Sequence, residues 1–561
     1  MRRSAFDLAW LATLTIVLGP LALGLLGALA PSLGFHPAFG LDRLSLDPWR
    51  RLFEDPATFG AIRLSATTGL GATAGAVAIA FGLSASLHHH PAVRRLRLVL
   101  APALALPHAS FAIGLAFLAA PSGWLARLVS PGLTGWIQPP DLLIINDPHG
   151  LALAVALTLK ETLFLLLMIA AAMGQTGAAP ALRTARSLGY GPVRAWLLVV
   201  LPRVYPQVRL PIYAVLATAL SVVDMALILG PSTPSPLAPL ILSWATSFEI
   251  DDQLKAAAGA VLQLALVLIA IGVWRLGEWI VSVLSRDWRV CGRRFGVAEW
   301  VAMMVGGIGG GLALAVSMFG ALGLLIWSFS ARWTWPGALP QAWSLGAWRA
   351  ALEPLTALVS RTLAIAVAST LVATGLALAC LEAEEGRRSR AGSAGLIYLP
   401  LLLPQIGFLF GVQILWSAMR IDGGLFAVIW THLLFVLPYV YLALADPFRA
   451  LDPRLARTAR SLGHSRLGTL IRVKTPLLVG PLLIAAAVGF AVSVGQYLPT
   501  VLAGAGRVET LTTEAVALAS GGDRRLTGVM AFTQALLPFL ALVLALGGTA
   551  LAGLHRNGLR A

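Results

Sequence analysis

Charge is scarce in this chain: only 12% of its 561 residues are Asp, Glu, Lys or Arg, and just 2 are cysteine. The two thiols, Cys291 and Cys380, form no CxxC motif, so a disulfide scaffold or a structural zinc site has no support. His88, His89 and His90 form a run, but beside Arg94, Arg95 and Arg97 they read as a polar turn, and no metal ligand set is assigned. There is no GxxxxGK[ST] segment, hence no nucleotide-hydrolysing loop. There is also no HExxH and no GxSxG, which removes the usual metal or nucleophile of a membrane enzyme. The glycine run Gly306 to Gly311 lacks a preceding strand and the Lys-Ser/Thr of a phosphate loop. Gly306 and Gly310, four apart, read instead as a surface for close helix packing.

Apolar residues are what the chain has in plenty. They make up 58% of the sequence and raise its mean hydropathy to +0.82, beyond what a soluble domain sustains. A helix needs about 20 apolar residues to cross roughly 30 Å of hydrocarbon. Stretches of that kind start near Leu8, Ala61, Leu98, Leu151, Pro211, Ala256, Val301, Thr356, Leu396, Gly424, Leu477 and Val529. None alternates as a barrel strand does, and only helices or closed barrels satisfy the backbone in lipid. The expected fold is an all-α polytopic membrane protein of about twelve transmembrane helices. The first stretch follows Met1-Arg2-Arg3 and ends at Ala28-Leu29-Ala30, which mimics a cleavage site; its length favours an uncleaved helix.

The net charge of +16 is explained by topology and not by nucleic acid. Lys and Arg alternate between loops: 14 and 12 fall on the side of the N-terminus in the two halves, 5 and 6 on the other. By the positive-inside rule both termini are expected in the cytoplasm.

The heptapeptide RTARSLG occurs twice, at Arg183–Gly189 and Arg457–Gly463, each time followed 13 residues later by a proline, Pro202 and Pro476. The duplication reaches further. Pro107, Phe111 and Gly114 match Pro404, Phe408 and Gly411; Ser221 and Asp224 match Ser493 and Gln496; Leu240, Asp252 and Gln263 match Leu511, Asp523 and Gln534. Residues 1–286 are read as the first repeat, 287–296 as a cytoplasmic linker and 297–561 as the second repeat. Each repeat has six spans, an even number, so the two insert in parallel about an axis along the membrane normal. Within each loop, RTARSL suits a short helix that a left-handed glycine ends. Pro192 can then open a second helix in the first copy.

These loops, 183–202 and 457–476, resemble the EAA loop of permease subunits in binding-protein-dependent ABC importers. That pattern is Glu-Ala-Ala, three residues, Gly, nine residues, an aliphatic residue, any residue and Leu-Pro. The first copy supplies Arg183, Thr184, Ala185, Gly189, Val199, Leu201 and Pro202; the second supplies Arg457, Thr458, Ala459, Gly463, Val473, Thr475 and Pro476. Arginine stands at the glutamate position in both. The whole chain looks most similar to the fused permeases of the thiamine and ferric-iron type. The resemblance implies an inner-membrane subunit that binds no cofactor itself. It also implies two cytoplasmic ATPase copies carrying ATP-Mg, and a periplasmic solute-binding protein. Arg183, Thr184, Ala185, Ser187, Leu188, Gly189 and Pro202, with Arg457, Thr458, Ala459, Ser461, Leu462, Gly463 and Pro476, would then couple transport to the ATPase. A twelve-helix ion-coupled secondary transporter is the rival reading, but few intramembrane charges are available to drive it.

Polar residues inside apolar stretches mark candidate pathway positions. Asp224 is placed about two-thirds along the fifth helix, and Gln496 is its match. Pro107 and Pro404 are expected to kink or interrupt their helices towards the same path. Lys160 and Glu161 point about 100° apart on one helix and cannot simply pair with each other. Asp252 and Asp523 are docking or loop-ordering residues. The outer stretches Pro231–Pro236 and Ala503–Gly528 are candidate docking surfaces for the binding protein.

Overall fold

The structure, a computed structural model, describes residues 5–37, 40–87, 103, 105–290, 292, 296–385 and 393–554. His88–His90, Arg94, Arg95, Arg97 and Cys291 lie outside the described residues. The chain is an all-α polytopic membrane protein. In order, its long helices are Ala5–Ser32, Pro56–Leu87, His108–Ala119, Leu151–Gln175, Leu201–Ser221, Ile250–Val290, Val297–Phe329, Gly346–Glu385, Gln405–Ala418, Leu425–Arg449, Val479–Val494 and Arg524–Leu554. They are called the first to twelfth helices below. Among the described residues the strands are confined to one small hairpin, Ser330–Arg332 with Ala342–Trp343.

Nine of the described helices are long and apolar enough to cross a membrane, or eleven if two sharply bent pairs count as one span each. The bends are 98° between Gly395–Leu402 and Gln405–Ala418, and 86° between Arg466–Leu477 and Val479–Val494. The expectation of about twelve falls short at the fifth helix. It begins at Leu201, ten residues before the apolar run, takes in Arg203, Gln207 and Arg209, and ends at Ser221, where the apolar run itself breaks.

Two helices cross over. The first helix packs along the ninth and eighth, and the seventh packs along the second and third. Glycines make both crossings possible. A Cβ on Gly411 would run into the Gly24 backbone, and one on Gly306 into the Leu83 backbone. A Cβ on Gly114 would stand 3.0 Å from Gly320. The matched glycines Gly114 and Gly411 are thus the two points where the opening helix of the other half passes. Gly411→Val is expected to destabilise the fold by about 3 kcal/mol, because backbone cannot move aside as a side-chain tip can. The control is Gly375→Ala, also in a helix but with nothing within 4 Å of the added carbon; thermal unfolding in detergent should show a drop for the first variant only.

Corresponding short helices are also held alike. The amide of Leu237 donates to Ser65 Oγ at 2.8 Å, and that of Leu511 to Thr362 Oγ1 at 3.0 Å. Both bonds are buried, and each supplies a partner for a helix-start amide that has none within its own helix.

Candidate coupling loops and the polar seam between the halves

The heptapeptides form the same structure twice. Helices Ala178–Ser187 and Pro453–Ser461 stop at Gly189 and Gly463, both with φ of 86°. Gly189 N–H donates to Arg186 O at 2.9 Å and Tyr190 N–H to Ala185 O at 3.3 Å; Gly463 and His464 repeat this on Arg460 and Ala459 at 3.0 and 3.1 Å. This pair of bonds is the Schellman motif, whose glycine must sit in the left-handed region. Within each heptapeptide the alanine, Ala185 or Ala459, is buried against the protein. The arginines, Thr184, Ser187, Thr458 and Ser461 face outward, as do Leu188 and Leu462, which are 59% and 75% exposed.

After the turn, each loop restarts as a short helix, Pro192–Ala195 or Arg466–Thr469, and passes through a π-helical turn, Trp196–Val200 or Leu470–Lys474. Pro202 and Pro476 stand two residues after the end of these turns. A proline has no N–H to donate four residues back, and its ring crowds that carbonyl, so the turn before it opens to the wider π form.

The other half's crossing helix supports each loop. The Glu299 carboxylate, in the first turn of the seventh helix, accepts from Arg194 N–H at 3.4 Å and fills the space beside Gly191. The Arg466 guanidinium lies over the Phe6 ring of the first helix at 5.2 Å. Below this contact, the loops are anchored differently. Trp196 of the first loop is fully buried, its ring centroid 5.9 Å from that of Phe81. Lys474 of the second donates to Glu382 Oε2 at 2.5 Å and also pairs with Glu385.

The candidate pathway residues meet at breaks in helices. Contrary to expectation, Asp224 does not lie within a continuous fifth helix: the helix ends at Ser221, and Asp224 opens a new one, Asp224–Leu229. Its carboxylate therefore lies beside the helix-start amides of Asp224 and Met225, which have no partner within their own helix. Gln496 stands in the equivalent break, between Val479–Val494 and Leu498–Gly504. Pro107 immediately precedes the third helix, and a Cβ on Gly495 would lie 3.7 Å from it. Pro404 immediately precedes the ninth helix, at its 98° bend. The structure brings Pro107, Asp224 and Gln496 into one seam. Pro404 leads instead into the apolar cluster of Ile406, Phe408 and Val223.

Lys160 and Glu161 each find separate partners. Lys160 Nζ donates to the Leu106 carbonyl at 2.5 Å and to Ala103 at 3.4 Å, and Glu161 Oε1 meets His108 Nε2 at 3.1 Å. Around these the structure adds groups that no motif announced. His108 and Tyr497 lie near enough to Asp224, and Tyr439 to Glu161, to be coupled to these carboxylates electrostatically. His432 bridges Ser493 and Thr500 at 2.8 and 2.9 Å, clamping both sides of the Gln496 break. The matched glutamines Gln263 and Gln534, both fully buried, serve the two broken helix ends. Gln263 donates to Leu220 O at 3.1 Å, and Gln534 donates to Thr512 Oγ1 at 2.6 Å, which in turn bonds Val494 O. Asp252 and Asp523 order their own turns, through Ser247 and Lys255 and through Arg525.

No protein-family profile matches the chain. It is 32% identical over 564 residues to the inner membrane ABC transporter permease protein YnjC of Escherichia coli K12, covering 100% of this chain and 99% of that one. Shorter likenesses, at 30% identity, reach a spermidine/putrescine transport system permease PotC homolog of Mycoplasma genitalium and a probable molybdenum ABC transporter permease of Haloferax volcanii. The first covers 19% of this chain and 37% of the relative, the second 26% and 58%. Twin solvent-facing loops on a helical membrane scaffold agree with the end-to-end likeness: the chain belongs to the permease family of ABC transporters.

Proposed function

We propose that this chain is the transmembrane permease subunit of an ABC importer, with two parallel repeats, residues 1–286 and 297–561, forming one translocation path. It resides in the inner membrane with both termini and both heptapeptide loops in the cytoplasm. Two separate ATPase subunits carry ATP-Mg, and each receives one loop in a cleft; an external solute-binding protein delivers the cargo. The chain itself is not an enzyme. The observation that carries this reading is the pair of identical Schellman-capped loops, each presenting an exposed leucine, Leu188 or Leu462, beside exposed arginines. It is the repetition that matters: the same leucine is exposed beside the same arginines in both copies, as two equal contact surfaces would require. Arg183 and Arg457 make that surface basic, so the matching clefts should carry acidic groups. A secondary transporter has no use for two such copies.

The test is purification of the tagged chain from its native membrane in mild detergent. Two copies of a Walker-motif ATPase per permease should accompany it. Valine at both Gly189 and Gly463 places a β-branched residue at φ 86°, strained by about 1–2 kcal/mol at each site; the ATPase should then be lost while the permease stays intact. Repeated recovery of the wild-type chain alone would sink the importer reading.

A further inference from the structure

The sixth helix carries an arginine on the face it turns to lipid. Leu268, Ile269, Val273, Leu276, Trp279 and Ile280 of Ile250–Val290 are all exposed, at spacings of three and four that make one stripe. Arg275 lies within that stripe, its side chain 58% exposed. Its depth follows from the sequence. From Ala256 to Trp274 the helix runs 19 residues without a charge, about 28 Å at 1.5 Å per residue, close to the roughly 30 Å of a hydrocarbon core. Arg275 therefore stands where hydrocarbon gives way to head groups. Trp274 and Trp279 beside it are the residue type that gathers at that level.

The fifth helix brings a second guanidinium to the same place. Arg209 Nε lies 3.2 Å and Arg275 Nη1 2.7 Å from one oxygen of Glu278, Oε2. The other oxygen, Oε1, accepts from the hydroxyls of Tyr205 and Tyr213 at 2.8 and 3.1 Å. Two cations thus meet one carboxylate, whose side chain is 10% exposed, and among the described residues no other acid pairs with either. The pair keeps a net positive charge and N–H donors to spare, fixed by a buried acid on a surface bounded by apolar side chains. Resting on the orientation of the importer reading, which puts this end of the helix at the cytoplasmic side, we propose that Arg209 and Arg275 bind the phosphate of an anionic lipid of the cytoplasmic leaflet.

The planar guanidinium fork matches phosphate oxygens, and the lipid's chains can lie along the stripe that leads up to Arg275. Free phosphate is the poorer occupant, because it would have to leave water for a surface that Leu210, Leu276 and Trp279 keep apolar. The site belongs to one half. The eleventh helix, Val479–Val494, has no charged residue, and the twelfth has none after Arg525. The bound lipid therefore bears on the first loop alone. Trp274 Nε1 donates to Tyr205 OH at 3.4 Å, the Tyr205 ring centroid is 6.0 Å from that of Phe81, and Phe81 packs on Trp196, the anchor of that loop.

Native mass spectrometry of the full chain in detergent tests this, with phosphatidylglycerol, phosphatidylcholine of the same acyl chains, or glycerol 3-phosphate added. A first phosphatidylglycerol should bind at least about 10-fold more tightly than phosphatidylcholine, and glycerol 3-phosphate should neither bind nor displace it. Arg209→Gln with Arg275→Gln should weaken that lipid by about 10-fold or more, while Arg209→Lys with Arg275→Lys stays within a few-fold of the parent. If the double glutamine variant does not fold, Arg275→Gln alone, which leaves Arg209 on Glu278, should still weaken binding several-fold. Arg289→Gln, an exposed arginine further along the same helix, should change nothing. Equal binding of phosphatidylcholine, displacement by glycerol 3-phosphate, unchanged binding in the glutamine variants, or an equal loss in Arg289→Gln would each overturn the proposal. A chain that recovers its ATPase but shows no preference for the anionic lipid overturns this inference alone; a chain that shows the preference but never recovers an ATPase overturns the importer reading alone.

Discussion

Lys474→Val is expected to destabilise the protein by about 3 kcal/mol, and adding Glu382→Ala to it should restore most of that loss. Glu382 has no exposed surface. Its Oε2 takes a hydrogen bond from Lys474, its Oε1 takes none, and the guanidinium nitrogens of Arg460 and Arg466 stand off at 3.6 Å. Removing Lys474 alone leaves a buried carboxylate without a hydrogen-bond donor, which is the costly way to break an ion pair. The double variant copies the other half of the molecule. Counting from the matched pair Ser65 and Thr362, Glu382 corresponds to Ala85; counting from Gly189 and Gly463, Lys474 corresponds to Val200. Both are fully buried in one apolar cluster. The same loop anchor is thus built twice, once from an apolar pair and once from an ionic pair. Thermal unfolding of the three proteins in detergent checks this; a double variant as unstable as Lys474→Val would mean that the ion pair does more than hold the loop.

The loops were legible because their structure is local. A Schellman turn needs only a helix of six or seven residues and a glycine, and RTARSLG contains both, so two copies in the sequence became two copies of one geometry. The same holds for the basic composition of the loop face and for the long apolar runs. Legibility ended where a residue's meaning depends on a partner far along the chain. Gly114 and Gly411 stood out as a matched pair, yet nothing near them names Gly320 or Gly24 as the reason. Asp224 looked like a charge inside a continuous helix, because Ser221-Val222-Val223 carries no proline or glycine to announce a break. Only tertiary contacts impose that break, with Gln263 taking the loose Leu220 carbonyl. Tyr439 and Tyr497 were invisible for the same reason: a tyrosine in an apolar run reads as core until its neighbours along the rest of the chain are known. The bent ninth and eleventh helices lie between these cases, since Pro404 could be read from the sequence but the angle of the bend could not.

Joining Gln175 to Asp446 covalently is expected to stop transport outright. These residues lie in the last turn of the fourth helix and near the end of the tenth, a few residues before the two heptapeptide helices, and their side chains meet at 2.5 Å across the two halves. The structure therefore has the roots of both loops tied together. Its exposed hydrogen bond contributes only about 1 kcal/mol, which an ATPase cycle overcomes easily. A covalent bridge is different, because a state that cannot form has no population for any ligand or nucleotide to select. Cysteines at 175 and 446, in a background with Cys291 and Cys380 replaced by serine, can be linked by a short bis-methanethiosulfonate, which spans the side chains without demanding disulfide geometry. On the importer reading, cargo-stimulated ATP hydrolysis by the assembled complex should fall by about 10-fold or more on linking and return on reduction. Full turnover by the linked protein would mean that these helix ends stay together throughout the cycle, and that the halves open by bending nearer the seam, at the breaks beside Asp224 and Gln496, instead of by separating at the loops.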